Sequence, residues 1–202
     1  MLQALTPPGA VMAELGTFRG DLAHDILTRL APRRLHVVDL FEGEIASGDA
    51  DGNHMTSVPG PLLEALVRGR LQPWVSAGIA NVSTQSTTSF LAALPDAYLD
   101  VAYVDADHRY EGVREDLRLA MVKVKPGGLL CGHDYEINPA RARTNWVFGV
   151  RRAVEELRAA HGLDLLAKGL DGCVSFCIRV PAAALARPDA RGTTLSVAGA
   201  QA

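Results

Sequence analysis

Acidic and histidine residues stand directly after two short apolar runs in the middle of the sequence. Asp105, Asp107 and His108 follow the run VAYV, whereas His133 and Asp134 come just after the run LLC. Imidazoles take up protons near neutral pH, and carboxylates coordinate cations. Residues of these two types gathered in one place could therefore perform proton transfer or cation-assisted chemistry.

An amphipathic helix pattern and a Pro-Gly-Gly turn separate the two apolar runs. The apolar positions of this pattern recur at helical spacing, at Val113, Leu117, Ala120 and Val124. A strand, a helix and a second strand in this order are typical of a βαβ unit with parallel strands. Because the carboxyl ends of such strands lie side by side and ligands bind there, we expect the acids and histidines to converge at one edge of the sheet.

The same patterns predict the other elements of the chain. Strands are predicted at residues 10–15, 35–40, 81–85, 101–104, 129–131, 163–167 and 173–180. One helix is predicted to begin at residue 21 and end before Pro32, and others to cover residues 62–71, 90–94, 113–124 and 147–161. We expect a single domain over residues 1–180 and a flexible tail over residues 181–202. The long polar segment 41–61 is either a functional loop or a disordered one.

Glycines bracket the turn after the first predicted strand. Gly16 and Gly20 let the backbone approach a ligand closely, but their spacing is not the G-x-G-x-x-G of dinucleotide sites. Glu14 adds negative charge where a phosphate would lie, whereas a ligand with an amine and a sulfonium would tolerate it. An ordinary strand-to-helix turn is the alternative. Asp39, at a distance suited to a ribose hydroxyl, favours ligand binding.

Composition and charge exclude several classes of protein. The net charge of -3 over 202 residues gives no basic field, which argues against nucleic acid as the main partner. The sequence has no apolar run long enough to span a membrane and no signal-peptide pattern. Cys131, Cys173 and Cys177 lie within apolar runs. We predict that they are buried, reduced thiols and that the protein is cytoplasmic.

Four segments carry a resemblance to a known family. AELGTFRG, HVVDLFEG, VDADHRYEGVREDL and KPGGLLCGHDY resemble the class I S-adenosylmethionine-dependent methyltransferases. Within that class they are most similar to the macrocin-type sugar O-methyltransferases and their cephalosporin-biosynthesis relatives. The resemblance covers residues 10–180. It implies an α/β fold: a Rossmann-like three-layer sandwich whose seven-stranded sheet is mostly parallel, with an antiparallel last strand.

The resemblance also implies where S-adenosylmethionine binds. The Gly16 turn would surround its methionine part, Asp39 would bind the ribose hydroxyls, and the polar segment after the third strand would lie near the adenine. The residues expected to contact the cofactor are Glu14, Gly16, Thr17, Phe18, Gly20, Asp39, Leu40, Gln85, Ser86 and Asp105.

Catalytic and metal-binding roles follow from the same relatives. In metal-dependent members, an acid after the fourth strand and two ligands after the fifth hold a divalent cation such as Mg²⁺. These positions correspond to Asp105, His133 and Asp134. A histidine three residues after the first acid, here His108, serves as the general base, so Asp105 and His108 are the expected catalytic residues. His133 departs from the usual oxygen ligands, which favours a softer ion or a site without metal.

Each of these residues also has a structural explanation. Asp105, Asp107 and Asp134 could cap nearby amides, and His133 could be a buried histidine with satisfied hydrogen bonds. Other residues near the site leave two interpretations open. Two tyrosines line an acceptor pocket or pack at the sheet edge: Tyr110 and Tyr135. Four arginines near Trp146 either bind an acidic acceptor or form an exposed helix face: Arg141, Arg143, Arg151 and Arg152. His54 is expected to be a solvated loop residue.

The function that these observations favour is O-methylation of a small hydroxylated acceptor, such as a sugar or natural product. The alternatives are a non-catalytic Rossmann-like protein that binds a nucleotide or cofactor, and a NAD-type oxidoreductase. The expected partner is the small-molecule acceptor. The sequence leaves open whether the chain is a monomer or also binds further copies of itself as a homo-oligomer. Neither a nucleic acid nor a membrane is expected. Relatives commonly carry an N-terminal helical extension over the acceptor site, whereas this sequence starts almost at its first strand.

Overall fold

The computed structural model describes residues 1–42, 59–137, 149–170 and 173–181. Its strands are β1 (Val11–Leu15), β2 (Arg34–Asp39), β3 (Ala80–Thr84), β4 (Leu99–Val104), β5 (Val124–Ile137), β6 (Leu165–Leu170) and β7 (Cys173–Arg179). Its helices are α1 (Leu2–Leu5), α2 (Asp21–Arg29), α3 (Gly60–Ser76), α4 (Thr87–Ala93), α5 (Tyr110–Lys123) and α6 (Val150–His161). The proposed tail, apart from Pro181, lies outside the described residues.

The strands form one seven-stranded sheet in the order β3-β2-β1-β4-β5-β7-β6. The strands β1 to β5 are parallel to one another, and β7 runs antiparallel to both β5 and β6. The chain order reverses direction between β1 and β4, so the carboxyl ends of these strands flank the crevice where ligands bind in open α/β sheets. The predicted fold class is confirmed.

Helices cover both faces of the sheet. On one face, apolar side chains of α4, α5 and α6 pack on the sheet in a cluster that includes Leu91, Leu117 and Val154. On the other face, α2 and α3 supply Ile26 and Val67 to a second cluster. These side chains repeat at helical spacing, so each helix buries one stripe and leaves its polar face outside. The result is the three-layer sandwich expected from the sequence.

Strand β5 differs most from its prediction. It was expected to cover residues 129–131 after a Pro-Gly-Gly turn, but it extends from Val124 to Ile137. The glycines pair with the end of β7 instead of ending the strand: Gly127 N–H donates to the Val180 carbonyl at 2.8 Å, and Val180 N–H donates to that of Gly128 at 2.9 Å. His133 and Asp134 therefore lie within a strand and not beyond its end.

Two cysteines on neighbouring strands correct a second prediction. Cys131 of β5 and Cys177 of β7 are register partners, and a disulfide joins them, with a Cα–Cα distance of 4.0 Å. The prediction of reduced thiols is therefore wrong for this pair, and Cys173, which was also predicted to be buried, is only half-buried. Local sequence patterns do not reveal the pairing, because it depends on the register of two strands that are far apart in the chain.

No helix among the described residues is both long and apolar enough to cross a membrane.

Candidate active site

A break in the strand pairing shapes the carboxyl end of β5. Its ladder with β4 ends at the pair Val104 and Gly132, and its ladder with β7 shifts register between Gly132 and Glu136. Asp134, inside this break, has a φ of 54°, a left-handed conformation that an aspartate tolerates better than most residues. Breaks of this kind redirect side chains beside functional sites. Here it brings His133 and Asp134 close to the end of β4.

The four residues predicted to converge do so. Asp105 lies just after β4, and His108 lies in the loop that leads to α5. The Nε2 atom of His108 is 2.7 Å from Asp134 Oδ2 and 3.7 Å from Asp105 Oδ1. The Nδ1 atom of His133 is 3.3 Å from the same Asp134 oxygen and 3.9 Å from that of Asp105. Two imidazoles therefore share one carboxylate oxygen.

The pKa values of this cluster are strongly perturbed. Burial opposes ionisation of Asp134, but hydrogen bonds from His108 and His133 outweigh it and hold the pKa of Asp134 well below its usual range. Hydrogen bonds to Asp105 and Asp134 raise the pKa of His108 to about 10. By distance, Asp134 is the closer of the two partners. The pKa of Asp105 is raised, mainly by burial. At neutral pH the cluster therefore holds an imidazolium beside a carboxylate.

The cluster also contains a donor set that fits a cation. One ligand atom each from Asp105, His108 and Asp134 lie within 4.8 Å of one another. The ligand set predicted from the sequence has the same two acids but His133 as its third member. In the structure the third residue of the group is His108. The two carboxylates suit Mg²⁺ or Mn²⁺, and the imidazole shifts the preference towards softer ions such as Zn²⁺. The spacing Asp-x-x-His is the sequence signal for His108 as a ligand.

The glycine turn lies against this cluster. Gly16 has a φ of +87°, and a Cβ there would lie 2.1 Å from the carbonyl oxygen of Asp105. The amide of Asp105 donates to the carbonyl of Leu15 at 2.7 Å, and that of Gly16 to Val38 at 2.8 Å. The ends of β1, β2 and β4 are thus fastened together. The turn expected to hold the sulfonium donor is a direct neighbour of the residues expected to act on the acceptor.

Asp39 fastens the same turn from the other side. Its Oδ2 accepts hydrogen bonds from the amides of Thr17 at 2.8 Å and Phe18 at 3.2 Å, and its Oδ1 accepts one from Phe41 at 2.9 Å. Phe18 and Phe41 have φ values of 50° and 47°. The predicted ribose ligand therefore also holds the strained turn in place. Gly20, with a φ of +73°, is the N-cap residue of α2.

Glu14 is buried beneath the turn. Its Oε2 accepts a hydrogen bond from the Thr17 hydroxyl at 2.7 Å, and only 1% of the residue is exposed. Burial raises the pKa of Glu14 to about 8, although the Thr17 hydroxyl opposes this shift. Asp105 and Asp39 raise the pKa further by repulsion. Glu14 therefore keeps its proton at neutral pH in the ligand-free protein, and a cation bound beside it would favour its ionised form.

Comparison with known proteins agrees with this geometry. Residues 13–135, more than half of the chain, match the family model described as a methyltransferase domain. The chain belongs to this methyltransferase family. A search of curated proteins found no sequence with significant similarity to this chain.

Solved structures share the fold of the methyltransferase at low sequence identity. N-methyltransferase NodS from Bradyrhizobium japonicum WM9, in complex with S-adenosyl-L-homocysteine, has a TM-score of 0.61 and 16% identity over 89% of this chain and 81% of that one. A putative rRNA-methylase from Clostridium thermocellum has a TM-score of 0.61 and 10% identity, with 89% and 91% covered. An O-methyltransferase family protein from Burkholderia thailandensis has a TM-score of 0.59 and 15% identity, with 89% and 52% covered. The family and these neighbours together support S-adenosylmethionine as the methyl donor.

The predicted adenine contacts of the methyltransferase lie at the ends of β2 and β3. The amide of Gln85 donates to the carbonyl of Asp39, the predicted ribose ligand, at 3.1 Å. The side chain of Leu40 is available to an aromatic ring, since 45% of the residue is exposed. The Ser86 hydroxyl accepts a hydrogen bond from the Ser89 amide at 3.1 Å and caps α4. Local structure thus accounts for Ser86 without a ligand.

Several other predicted residues serve structure. Asp107 accepts a hydrogen bond from the Arg109 amide at 2.9 Å and pairs with its guanidinium, as a capping acid does. The hydroxyl of Tyr110 donates to Glu156, and that of Tyr135 donates to Glu155, both on α6. Arginines of α6 lie over the same two rings: Arg151 and Arg152. These four aromatic and basic residues therefore join α6 to the rest of the fold. His54, Arg141, Arg143 and Trp146 lie outside the described residues.

Proposed function

We propose that this methyltransferase transfers the methyl group of S-adenosylmethionine to a hydroxyl group of a small acceptor, as the macrocin-type sugar O-methyltransferases do. The observation that carries this proposal is the cluster of Asp105, His108, His133 and Asp134 directly beside the Gly16 turn. The turn would hold the sulfonium, and the cluster would act on the acceptor hydroxyl.

The chemistry of the acceptor supports a hydroxyl group over an amine. A neutral amine attacks the methyl carbon through its lone pair, whereas an alcohol is a poor nucleophile until it loses its proton. General base catalysis of that proton loss contributes roughly 10²- to 10⁴-fold. An imidazole and two carboxylates beside the donor site are the groups that this step needs.

His108 has two alternative roles in this proposal. In the first, its imidazole accepts the hydroxyl proton. It must first lose the proton that its pKa of about 10 retains, and the positive charge of the sulfonium would lower that pKa. In the second, Asp105, His108 and Asp134 would hold a divalent cation, which lowers the pKa of a bound hydroxyl group. The same Nε2 atom cannot serve both roles.

Transfer of a radiolabelled methyl group to a panel of sugars, catechols, amines and RNA would test the proposal. We expect hydroxylated small molecules to be methylated and His108→Ala to lower turnover by at least about 100-fold. Labelling of amines or RNA alone would contradict it. The net charge of -3 argues against RNA, although one structural neighbour is a putative rRNA-methylase.

A further inference from the structure

The residue that caps the start of α6 contacts the backbone of His108. Gly149, the N-cap of this helix, donates a hydrogen bond from its amide to the His108 carbonyl at 2.8 Å. Gly149 lies 41 positions from His108 in the chain. The contact therefore links the amino end of a helix on the sheet face to the loop that carries the proposed base.

Gly149 has no room for a side chain. A Cβ there would lie 2.3 Å from both the N and the Cα atoms of Tyr110, a distance that backbone atoms never allow. The backbone of Gly149 itself is ordinary, with φ -85° and ψ -2°, so any residue could adopt it. The requirement for glycine comes from the close approach to residues 108–110 and not from the local conformation.

A second contact holds the same two segments together. The Tyr110 hydroxyl donates to Glu156, one of the residues of α6, and Arg152 binds that carboxylate at 2.9 Å. The Arg152 guanidinium also lies 4.0 Å from the centroid of the Tyr110 ring. The start of α5, only two residues after His108, is therefore fastened to α6 by side chains as well as by backbone.

From these contacts we infer that Gly149 is a positioning residue that sets the place of His108 in the methyl-transfer site. This inference rests on the proposed function of His108. Gly149 holds the carbonyl of His108 on one side while Asp134 holds its imidazole at 2.7 Å on the other. A displacement of about 1 Å at such a group can cost about 100-fold in rate.

The substitution Gly149→Ala tests the inference, with Gly162→Ala as its control. Gly162 caps the other end of α6, has a φ of +61°, and a Cβ there meets nothing within 4 Å. Both substitutions should lower the melting temperature, but only Gly149→Ala pushes on the His108 segment. We expect Gly149→Ala to lower kcat by about 100-fold, with KM for S-adenosylmethionine and the Kd of S-adenosylhomocysteine changed by less than about twofold.

Nuclear magnetic resonance separates this inference from the proposed function. The Cε1–H cross-peak of His108, assigned by its loss in His108→Ala, should move in Gly149→Ala and stay in place in Gly162→Ala. An unmoved cross-peak in Gly149→Ala would overturn the inference whatever the activity. Full turnover in His108→Ala would instead refute the role of His108 as base, while a moved cross-peak in Gly149→Ala would still show that Gly149 positions that residue.

Tyr110→Phe keeps the inference testable if Gly149→Ala does not fold. This substitution removes the hydroxyl that binds Glu156 but keeps the ring under Arg152 and introduces no clash. We expect the His108 cross-peak to move and kcat to fall by several-fold, again without a change in the Kd of S-adenosylhomocysteine. An unchanged cross-peak together with unchanged kcat would count against a positioning role for α6.

Discussion

Gly16 and Asp105 touch across the gap between β1 and β4, so that the carbonyl oxygen of Asp105 fills the place of a side chain on Gly16. The distance from that oxygen to a Cβ atom at position 16 would be only 2.1 Å. This contact joins the two halves of the proposed site. Gly16 belongs to the turn proposed to hold the methyl donor, and Asp105 belongs to the cluster proposed to act on the acceptor. Changes to Gly16 should therefore affect both halves.

The substitution Gly16→Ala separates this contact from ordinary backbone strain when it is compared with Gly78→Ala. Both glycines have positive φ, at +87° and +70°, but a Cβ on Gly78 meets nothing within 4 Å. Gly78→Ala should cost about 1–2 kcal/mol of unfolding free energy, the usual penalty of the left-handed region. Gly16→Ala should cost more and weaken S-adenosylhomocysteine binding at least tenfold. Urea unfolding and calorimetry measure the two effects, and equal losses in both variants would disprove the contact.

The convergence of the site could be predicted from sequence, whereas its detailed geometry could not. Parallel strands in a βαβ unit must place their carboxyl ends together. The positions of Asp105 and Asp134 just after their apolar runs were therefore enough to predict that the two acids converge. Which histidine has a ligand atom within 4.8 Å of those of the two acids depends on the detailed path of β5 after Gly132. The register shift there lies in the ladder between β5 and β7, which no local pattern reveals.

Contacts made between distant segments account for the other differences. The hydrogen bond from Gly127 to Val180 extends β5 through a Pro-Gly-Gly segment that favours a turn when considered locally. The contact of Gly149 with His108 likewise depends on how α6 packs. In the sequence Gly149 falls within the helix predicted at residues 147–161 and shows no sign of a role in the site.

Ionisation of His108 should make stability depend on pH. The pKa of His108 is raised from 6.5 to about 10, so its contribution is complete below pH 6.5 and is lost as the pH rises towards 10. Because 37% of the His108 side chain is exposed, solvent screening limits this contribution to about 1 kcal/mol. Urea unfolding at pH 6, 8 and 10 should show this loss in the wild type and its absence in His108→Gln. An equal change of unfolding free energy with pH in the two proteins would argue against the ion pair of His108 with Asp134.

Glu14→Gln should have opposite effects on stability and on cofactor binding. Burial raises the pKa of Glu14 from 4.5 to about 8, so its contribution to stability is complete below pH 4.5 and falls as the pH rises through 8. The neutral glutamine keeps an acceptor for Thr17 and removes this loss, so the ligand-free variant should be more stable than the wild type at pH 9. At that pH Glu14 of the wild type is ionised, so the affinity of the variant for the S-adenosylmethionine sulfonium should fall by about tenfold. A variant that binds S-adenosylmethionine as tightly as the wild type would show that Glu14 has no role in the donor site.

The two histidines of the cluster should differ in their effect on metal binding. His108 belongs to the set of donor atoms that lie within 4.8 Å of one another, together with Asp105 and Asp134. His133 lies 3.3 Å from Asp134 but is not a member of that set. If the methyltransferase binds Mn²⁺ here, His108→Ala should weaken binding by about 10- to 100-fold, whereas His133→Ala, which removes only a neighbour of the ligands, should weaken it less. Calorimetric titration with Mn²⁺ after chelator treatment gives the comparison, with Asp134→Asn as a third variant. A larger effect of His133→Ala would restore the ligand set that the sequence predicted, and no binding to the wild type would leave general base catalysis as the role of His108.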